Sequence, residues 1–282
     1  MQKCRIYTNS VSDLSPALAA EYNIGIVPDI ILFKDKEYFN NIDIDPPRLF
    51  EMLREVPYLP TTSHPNQSIY AEAFSAAAEY DEILCINVTT RMSGSFNTAT
   101  QTAQALREEG FPAQVYTYDS LNVSLGLGFL SIRAAELARN GAGARQIMEH
   151  LDTIRDKVGV YFCMPSLENA KKGGRIGEIK CFAADVLGIR PILTFRDGTV
   201  KDLNLTRGFN KAVERIFKYY ADRAKRGGRV FVCHANNERD ALKLKERVEA
   251  LDPDARVSIE WVGAVIGIYT GEGTIALIFE EC

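Results

Sequence analysis

Apolar positions in the first 158 residues follow two alternating rhythms. Short runs such as CRIYT, GIVP, EILCINV and AQVYTY have the length and branched or aromatic content of strands. Between them, LAAEYN, IDIDPPRLFEML, QSIYAEAFSAAAEY, FNTATQTAQALREEG, LGLGFLSIRAAELARNG and GARQIMEHLDTIRDKV read as helices. Ser15 before Pro16 has the form of an N-cap with proline at the first helical position. Residues 29–39 hold a further strand around a polar turn, and VPYLPTTSHPN reads as a proline-bounded loop. Strands alternating with helices predict a parallel sheet covered on both faces.

From residue 159 the texture changes. GVYFCMPS reads as a strand, LENAKKGGRIGE is basic and glycine-containing, and CFAADVLG is helix-like. FRDGTV places Asp197-Gly198 between apolar runs, a hairpin signal. NKAVERIFKYYADRAKRGG is an amphipathic helix, RVFVCHA a strand and NERDALKLKERVEALDP a helix. RVSIEWVGAVIGIYTGEGTIALIFEE supplies two last strands around a glycine-rich turn. The division falls near 158, giving an N-terminal α/β domain over 1–158 and a C-terminal α/β domain over 159–282.

The composition, 46% hydrophobic and 25% charged over 282 residues, is that of a soluble globular protein and excludes disordered or collagen-like architecture. The longest apolar stretch, Trp261 to Tyr269, is far short of a bilayer span, and MQKCRIYTNS lacks an apolar signal core. A cytoplasmic protein is expected. A net charge of −4 gives no reason to expect nucleic acid as a partner. The charge is uneven, −7 over residues 1–158 and +3 over 159–282. That suits a docking surface or a phosphate-bearing partner, and two solvated faces explain it equally well. The six cysteines have no CxxC or CxH spacing, so no metal is expected, and Cys85 and Cys233 read as buried strand residues.

The chain lacks GxxxxGK[ST], HExxH and a GxSxG elbow. What remains is a pair of hydroxyl-rich loops. One is Thr61-Thr62-Ser63-His64-Pro65. The other, Thr89 to Ser95, follows the strand EILCINV and opens the helix beginning near Phe96. Loops after the carboxyl ends of parallel strands hold ligands, and a helix N-terminus favours an anion. Gly94 would let a ligand approach the backbone. Spacing alone slightly favours a simpler account, in which Ser93 and Ser95 cap the helix. A third loop, Gly267 to Gly273, reads as a site or only a hairpin turn. Arg175 and Arg207 sit in basic segments suited to a phosphate or a protein carboxylate, or are solvated. A hydrolase using Ser93 with His64 or His234 is the enzymatic alternative.

The ordered set TTSHP, RMSGSFNTA, YDSLNVSLGLG, LENAKKGGRIG, LGIRPIL, DGTV and LTRGFNKA resembles the DegV family, which includes the fatty-acid-binding subunits of bacterial fatty acid kinase. The resemblance covers nearly the whole chain. It implies a two-domain α/β protein, with an N-terminal parallel sheet and a C-terminal mixed sheet, that buries one long-chain fatty acid and has no chemistry or cofactor of its own. The carboxylate would meet Thr62 and Ser93, with Ser63, Gly94, Ser95 and Tyr269 as neighbours. A kinase subunit would phosphorylate it, Arg175 and Arg207 facing that partner, with transient membrane contact for ligand exchange. Four positions depart from the family pattern: Tyr269 for a histidine, Glu272 for a proline, Asn9 for an aspartate and His64 for a glutamine. A tyrosine hydroxyl cannot carry positive charge near neutral pH. This favours a rival reading, a binding module for another amphipathic carboxylate or lipid without kinase coupling.

Overall fold

The computed structural model describes residues 3–176, 179 and 188–282. β1 (Cys4–Asn9) leads through a 3-10 turn, Ser10–Ser12, to α1 (Pro16–Glu21) and β2 (Ile24–Val27). Ser15 caps α1 by accepting the Leu18 N–H, with Pro16 at the first turn. A hairpin of β3 (Ile30–Phe33) and β4 (Lys36–Phe39) precedes α2 (Pro46–Glu55), β5 (Thr61–Ser63) and α3 (Gln67–Ser75). Asp45 and Asn66 cap α2 and α3 by accepting the N–H groups of Arg48 and Ile69. Then come β6 (Glu82–Asn87), α4 (Ser95–Glu108), β7 (Gln114–Asp119), α5 (Ser124–Arg139) and α6 (Ala144–Ile154). The remainder runs β8 (Val158–Cys163), α7 (Glu168–Lys172), β9 (Ile189–Arg196), β10 (Thr199–Arg207), α8 (Phe209–Arg223), β11 (Arg229–His234), α9 (Glu238–Leu251), β12 (Arg256–Trp261), α10 (Ala264–Thr270) and β13 (Ile275–Glu280).

Side-chain alternation decides which core each sheet face meets. The first sheet, ordered β2-β1-β6-β7, is parallel throughout. Tyr7, Ile83 and Cys85 point to α3 and α4, where they pack with Tyr70, Phe74 and Ala99. Ile6, Leu84 and Ile86 point the other way, into the core that holds Leu125 and Leu130 of α5 and Ile147 of α6. Helices therefore cover both faces, as the alternation predicts.

The second sheet, ordered β10-β9-β8-β13-β11-β12, is mixed, with β11 and β12 its parallel pair. Tyr161, Ile192, Leu277 and Phe279 face α8 and α9. Val160, Phe162, Phe195, Ala276 and Ile278 face the opposite side and join the core containing α5 and the first sheet's inner face. One apolar layer thus lies between the two large sheets. A small antiparallel sheet, β4-β3-β5, pairs Ile31 with Thr62. The α/β architecture is as expected. Asp197 and Gly198 both take positive φ, 52° and 76°, at the turn of the β9–β10 hairpin.

Two readings change. Thr61–Ser63 is a short strand rather than part of a loop. The glycine-rich segment near the C-terminus is not a hairpin turn. Residues 264–270 form α10, and β12 and β13 do not pair, because β13 inserts between β8 and β11. A short, continuous apolar run suits a strand or a buried helix equally well. Here Gly267 decides for the helix. A Cβ at that position would lie 3.0 Å from Phe50 and 3.3 Å from Leu49, so the bare glycine lets α10 seat closely on α2. Gly271, at φ 79°, follows the last turn. The helix expected over CFAADVLG lies, apart from Gly188, outside the described residues.

Candidate functional site

Between the two large sheets lies a cavity of about 570 Å³. Its broad wall is apolar, formed by Val160, Phe162, Phe195, Val200, Ala276 and Ile278 of the six-stranded sheet. Val11, Val88 and Val123 close it from the front half, and Val262, Val265 and Ile266 from the segment around α10. Cavities of this size hold small-molecule ligands, and an apolar wall with a few convergent polar groups is the usual form.

Most of the polar groups gather from four elements. β5 and its continuation supply Thr62, Ser63 and His64. The approach to α4 supplies Ser93 and Gly94, and its first turn Asn97. α10 supplies Tyr269 and Thr270, and the chain beyond α7 supplies Arg175. The two hydroxyl-rich segments thus meet at one cavity. Thr62 Oγ1 and the Tyr269 hydroxyl are 2.6 Å apart, which ties β5 to α10.

Ser95 does not line the cavity. It is buried behind Ser93, its Oγ 2.8 Å from Ser93 Oγ, while its N–H donates to Ser93 Oγ at 3.2 Å. Gly94, not a serine, holds the N-cap position of α4; Ser93 faces the cavity and accepts only the N–H of the helix's first residue. Gly94 lines the cavity, but the His64 imidazole fills the space beside it, 3.0 Å from where a Cβ would sit. Beneath this corner Asn9 donates to the Tyr70 hydroxyl at 2.7 Å, and Tyr70 donates to Asn87 at 3.2 Å. Burial holds the Tyr70 hydroxyl well above its ordinary pKa, so it stays neutral.

The Arg175 guanidinium lies 5.9 Å from the centre of the Tyr269 ring and donates to the Gly173 carbonyl at 2.7 Å. A Cβ on Gly173 would come within 2.3 Å of that ring, so glycine is what allows Tyr269 its position. Arg207 ends β10 on the exposed surface, away from the cavity wall. Glu272 also points away from the wall, paired with Arg54 at 2.5 Å.

Ser93 has Ser95 as its side-chain partner and, among the described residues, no hydrogen bond to a histidine. His234 is buried outside the cavity wall. Its ring lies tilted against that of Trp261, the centres 4.6 Å apart, it accepts the Asn237 N–H at Nδ1, and burial lowers its pKa. That is the arrangement of a satisfied strand-end histidine, not a general base beside Ser93. Among the described residues no cluster of His, Cys, Asp or Glu could hold a metal ion, and no helix is long and apolar enough to cross a membrane.

One charged lining residue lies outside every segment that the sequence marks as a site. Asp29 is 4% exposed and lines the cavity. Its signal was an acid set between two apolar runs, IVP and IILF.

The family model described as uncharacterised protein, DegV family, matches residues 3–281. The chain belongs to the DegV family. A DegV-family protein from Thermus thermophilus, described by its fatty acid binding, superposes with a TM-score of 0.88 at 29% identity, covering 99% of this chain and 100% of that one. DegV of Bacillus subtilis, a fatty acid binding protein, gives 0.89 at 27% identity, covering 99% of each chain. The B3 protein of Streptococcus pneumoniae fatty acid kinase, loaded with linoleic acid, gives 0.87 at 22% identity and 99% coverage of each, a likeness of fold. The architecture of this DegV-family chain, a four-stranded parallel sheet and a six-stranded mixed sheet with helices, is that of these relatives.

Proposed function

We propose that this protein binds one long-chain fatty acid, with the carboxylate held at Thr62 and Ser93 and the tail in the cavity between the sheets. The single observation that carries the reading is the apolar cavity of about 570 Å³ with one hydroxyl-rich corner. A 16-carbon tail buried at about 0.8 kcal/mol per methylene contributes on the order of 10 kcal/mol gross. Association removes a large part of that. A buried carboxylate needs several donors, and Thr62, Ser63 and Ser93 line the same cavity. The fatty acid binding attributed to the Thermus and Bacillus relatives supports the reading.

The protein acts, on this proposal, as a cytoplasmic carrier without chemistry of its own and presents the carboxylate to a fatty acid kinase. Arg175, at the cavity, would act beside the head group, and Arg207, on the surface, would face the partner. The division into residues 1–158 and 159–282 belongs to the same proposal, since the cavity lies between sheets drawn from either side of it. Titrating delipidated protein with palmitate by calorimetry tests the binding. One-to-one saturation is expected, and no heat with any chain length would end the reading.

Tyr269 favours a second reading, a fatty acid binder uncoupled from a kinase. Its hydroxyl is engaged with Thr62, and the ring cannot carry the positive charge of the histidine expected there. Adding a fatty acid kinase subunit and ATP to the loaded protein separates the two. Acyl-phosphate formation supports the carrier, and its absence with intact binding supports the simple binder.

A further inference from the structure

An acid in the wall of a cavity that receives a carboxylate is electrostatically out of place. Asp29 lies where it would oppose the ligand most directly. It immediately precedes β3, and the Asn40 N–H donates to its carbonyl at 2.9 Å, so the extended chain continues through it. Two residues on, Ile31 pairs with Thr62. Asp29 and Thr62 therefore project from the same face of the small sheet. Both line the cavity. Tyr70, beneath Ser95, also feels the charge of Asp29.

The hydrogen bonds around Asp29 say where a proton on it must sit. Ser10 Oγ accepts from the Asp29 N–H at 2.8 Å and from Asn40 Nδ2 at 3.0 Å, which uses both of its lone pairs. Its one proton is left to donate to Asp29 Oδ2, at 2.9 Å. The Val11 N–H also donates to Oδ2, at 3.3 Å. Oδ2 is therefore an acceptor only. A protonated Asp29 carries its hydrogen on Oδ1, which accepts from neither Ser10 Oγ nor the Val11 N–H.

We propose that Asp29 holds a proton against the ligand's carboxylate, so that the bound pair carries a single negative charge and binding takes up a proton. This rests on the fatty-acid reading above. The proton comes from solvent, stays on Asp29 Oδ1 and is donated to a ligand oxygen, with no covalent bond made or broken. Two carboxyl groups at hydrogen-bond distance cannot both ionise, and sharing one proton is the ordinary resolution. Burial already pushes the Asp29 carboxyl up to about 7, against the lowering effect of the Ser10 hydroxyl and of the Val11, Ser10 and Asp29 backbone N–H groups. A ligand anion beside it raises it further. The other titratable or charged groups around it are Asp13 beyond the 3-10 turn, Tyr70 on α3, His64 after β5, Arg175 after α7 and Tyr269 on α10. Asp13 is itself buried and raised to about 7, the Asp29 charge adding to its burial. It does not line the cavity.

Asp29→Asn tests this, because an amide keeps the acceptor for Ser10 and Val11 and offers a fixed N–H to the ligand. Calorimetry of palmitate binding in two buffers of unequal ionisation enthalpy counts the protons taken up. At about pH 8 the wild type should take up close to one proton more than D29N, and its affinity should fall roughly tenfold per pH unit above about 7 relative to that of D29N. The ligand's own ionisation is common to both proteins and cancels. Equal proton counts and parallel pH profiles, with binding intact, overturn this inference and leave the lipid reading standing. No binding by the wild type at any pH overturns both. Should D29N fail to fold, infrared difference spectra of the wild type with carboxyl-13C palmitate read the same proton. Loading at about pH 8 must then produce an unlabelled protonated-carboxyl band, and its absence overturns the proposal.

Discussion

Replacing Ala276 with leucine should shorten the fatty acid that the cavity accepts. Ala276 lies on β13 opposite Phe162, with its side chain on the cavity wall beside Ile278. Leucine adds three carbons that project into a void rather than into packed neighbours, so the overpacking penalty of a filled core is largely absent. A chain that fills the cavity must withdraw about three methylenes, worth about 0.8 kcal/mol each, or about 2.4 kcal/mol and roughly 60-fold in affinity. A chain about three carbons shorter loses nothing. The assay is calorimetric titration of delipidated wild type and Ala276→Leu with a series of saturated fatty acids, with thermal unfolding as the control for the fold. Loss confined to the longer chains supports the account. An equal loss at every length, or no loss at all, would refute the placement of the tail between the sheets.

Ser93→Ala and Thr62→Ala should each weaken fatty acid binding about tenfold to a hundredfold, because each removes a donor from a desolvated carboxylate; unchanged affinity in both, measured by the same titration, removes the head-group assignment. Arg207→Ala should spare lipid affinity, since Arg207 is off the cavity wall, and impair acyl-phosphate formation with a kinase subunit. Loss of lipid affinity instead would put Arg207 in the ligand site. Asp13 and Asp29 rise on folding from an ordinary value of 3.8 to about 7, so the folded chain binds their protons more tightly than the unfolded one. Their contribution to stability is fully present below about pH 4 and is lost as the pH rises toward about 7. Melting temperatures of unliganded Asp29→Asn should therefore fall less steeply than those of the wild type across that window, and parallel curves would contradict the assignment.

The head-group corner was legible because its chemistry is local. Hydroxyls packed into TTSHP and RMSGS mark polar turns at element boundaries, and the strand before the second fixed which end of the sheet it occupies. The cavity wall was not legible. Val160, Phe162, Ala276 and Ile278 are strand residues like their neighbours Tyr161 and Leu277, and only the sheet's placement tells which alternate set faces the void. The same limit explains α10. Nine apolar or small residues in a row satisfy a strand and a buried helix alike, and the deciding fact, the close approach of Gly267 to α2, is a tertiary one. Asp29 was visible as an acid among apolar residues, but its partner Ser10 is 19 positions away and its neighbour Thr62 belongs to another element. The resemblance places Ser95 beside the carboxylate, but a motif does not show which way a side chain turns, and the chain at Gly94 sends that of Ser95 behind Ser93.

A crystal structure of the protein loaded with an ω-brominated fatty acid tests the central claim most directly. The account predicts carboxylate oxygens within hydrogen-bond distance of Thr62 and Ser93, and an anomalous bromine peak among the apolar side chains between the two large sheets. A carboxylate bound elsewhere, or a bromine at the protein surface with that space empty, would contradict it.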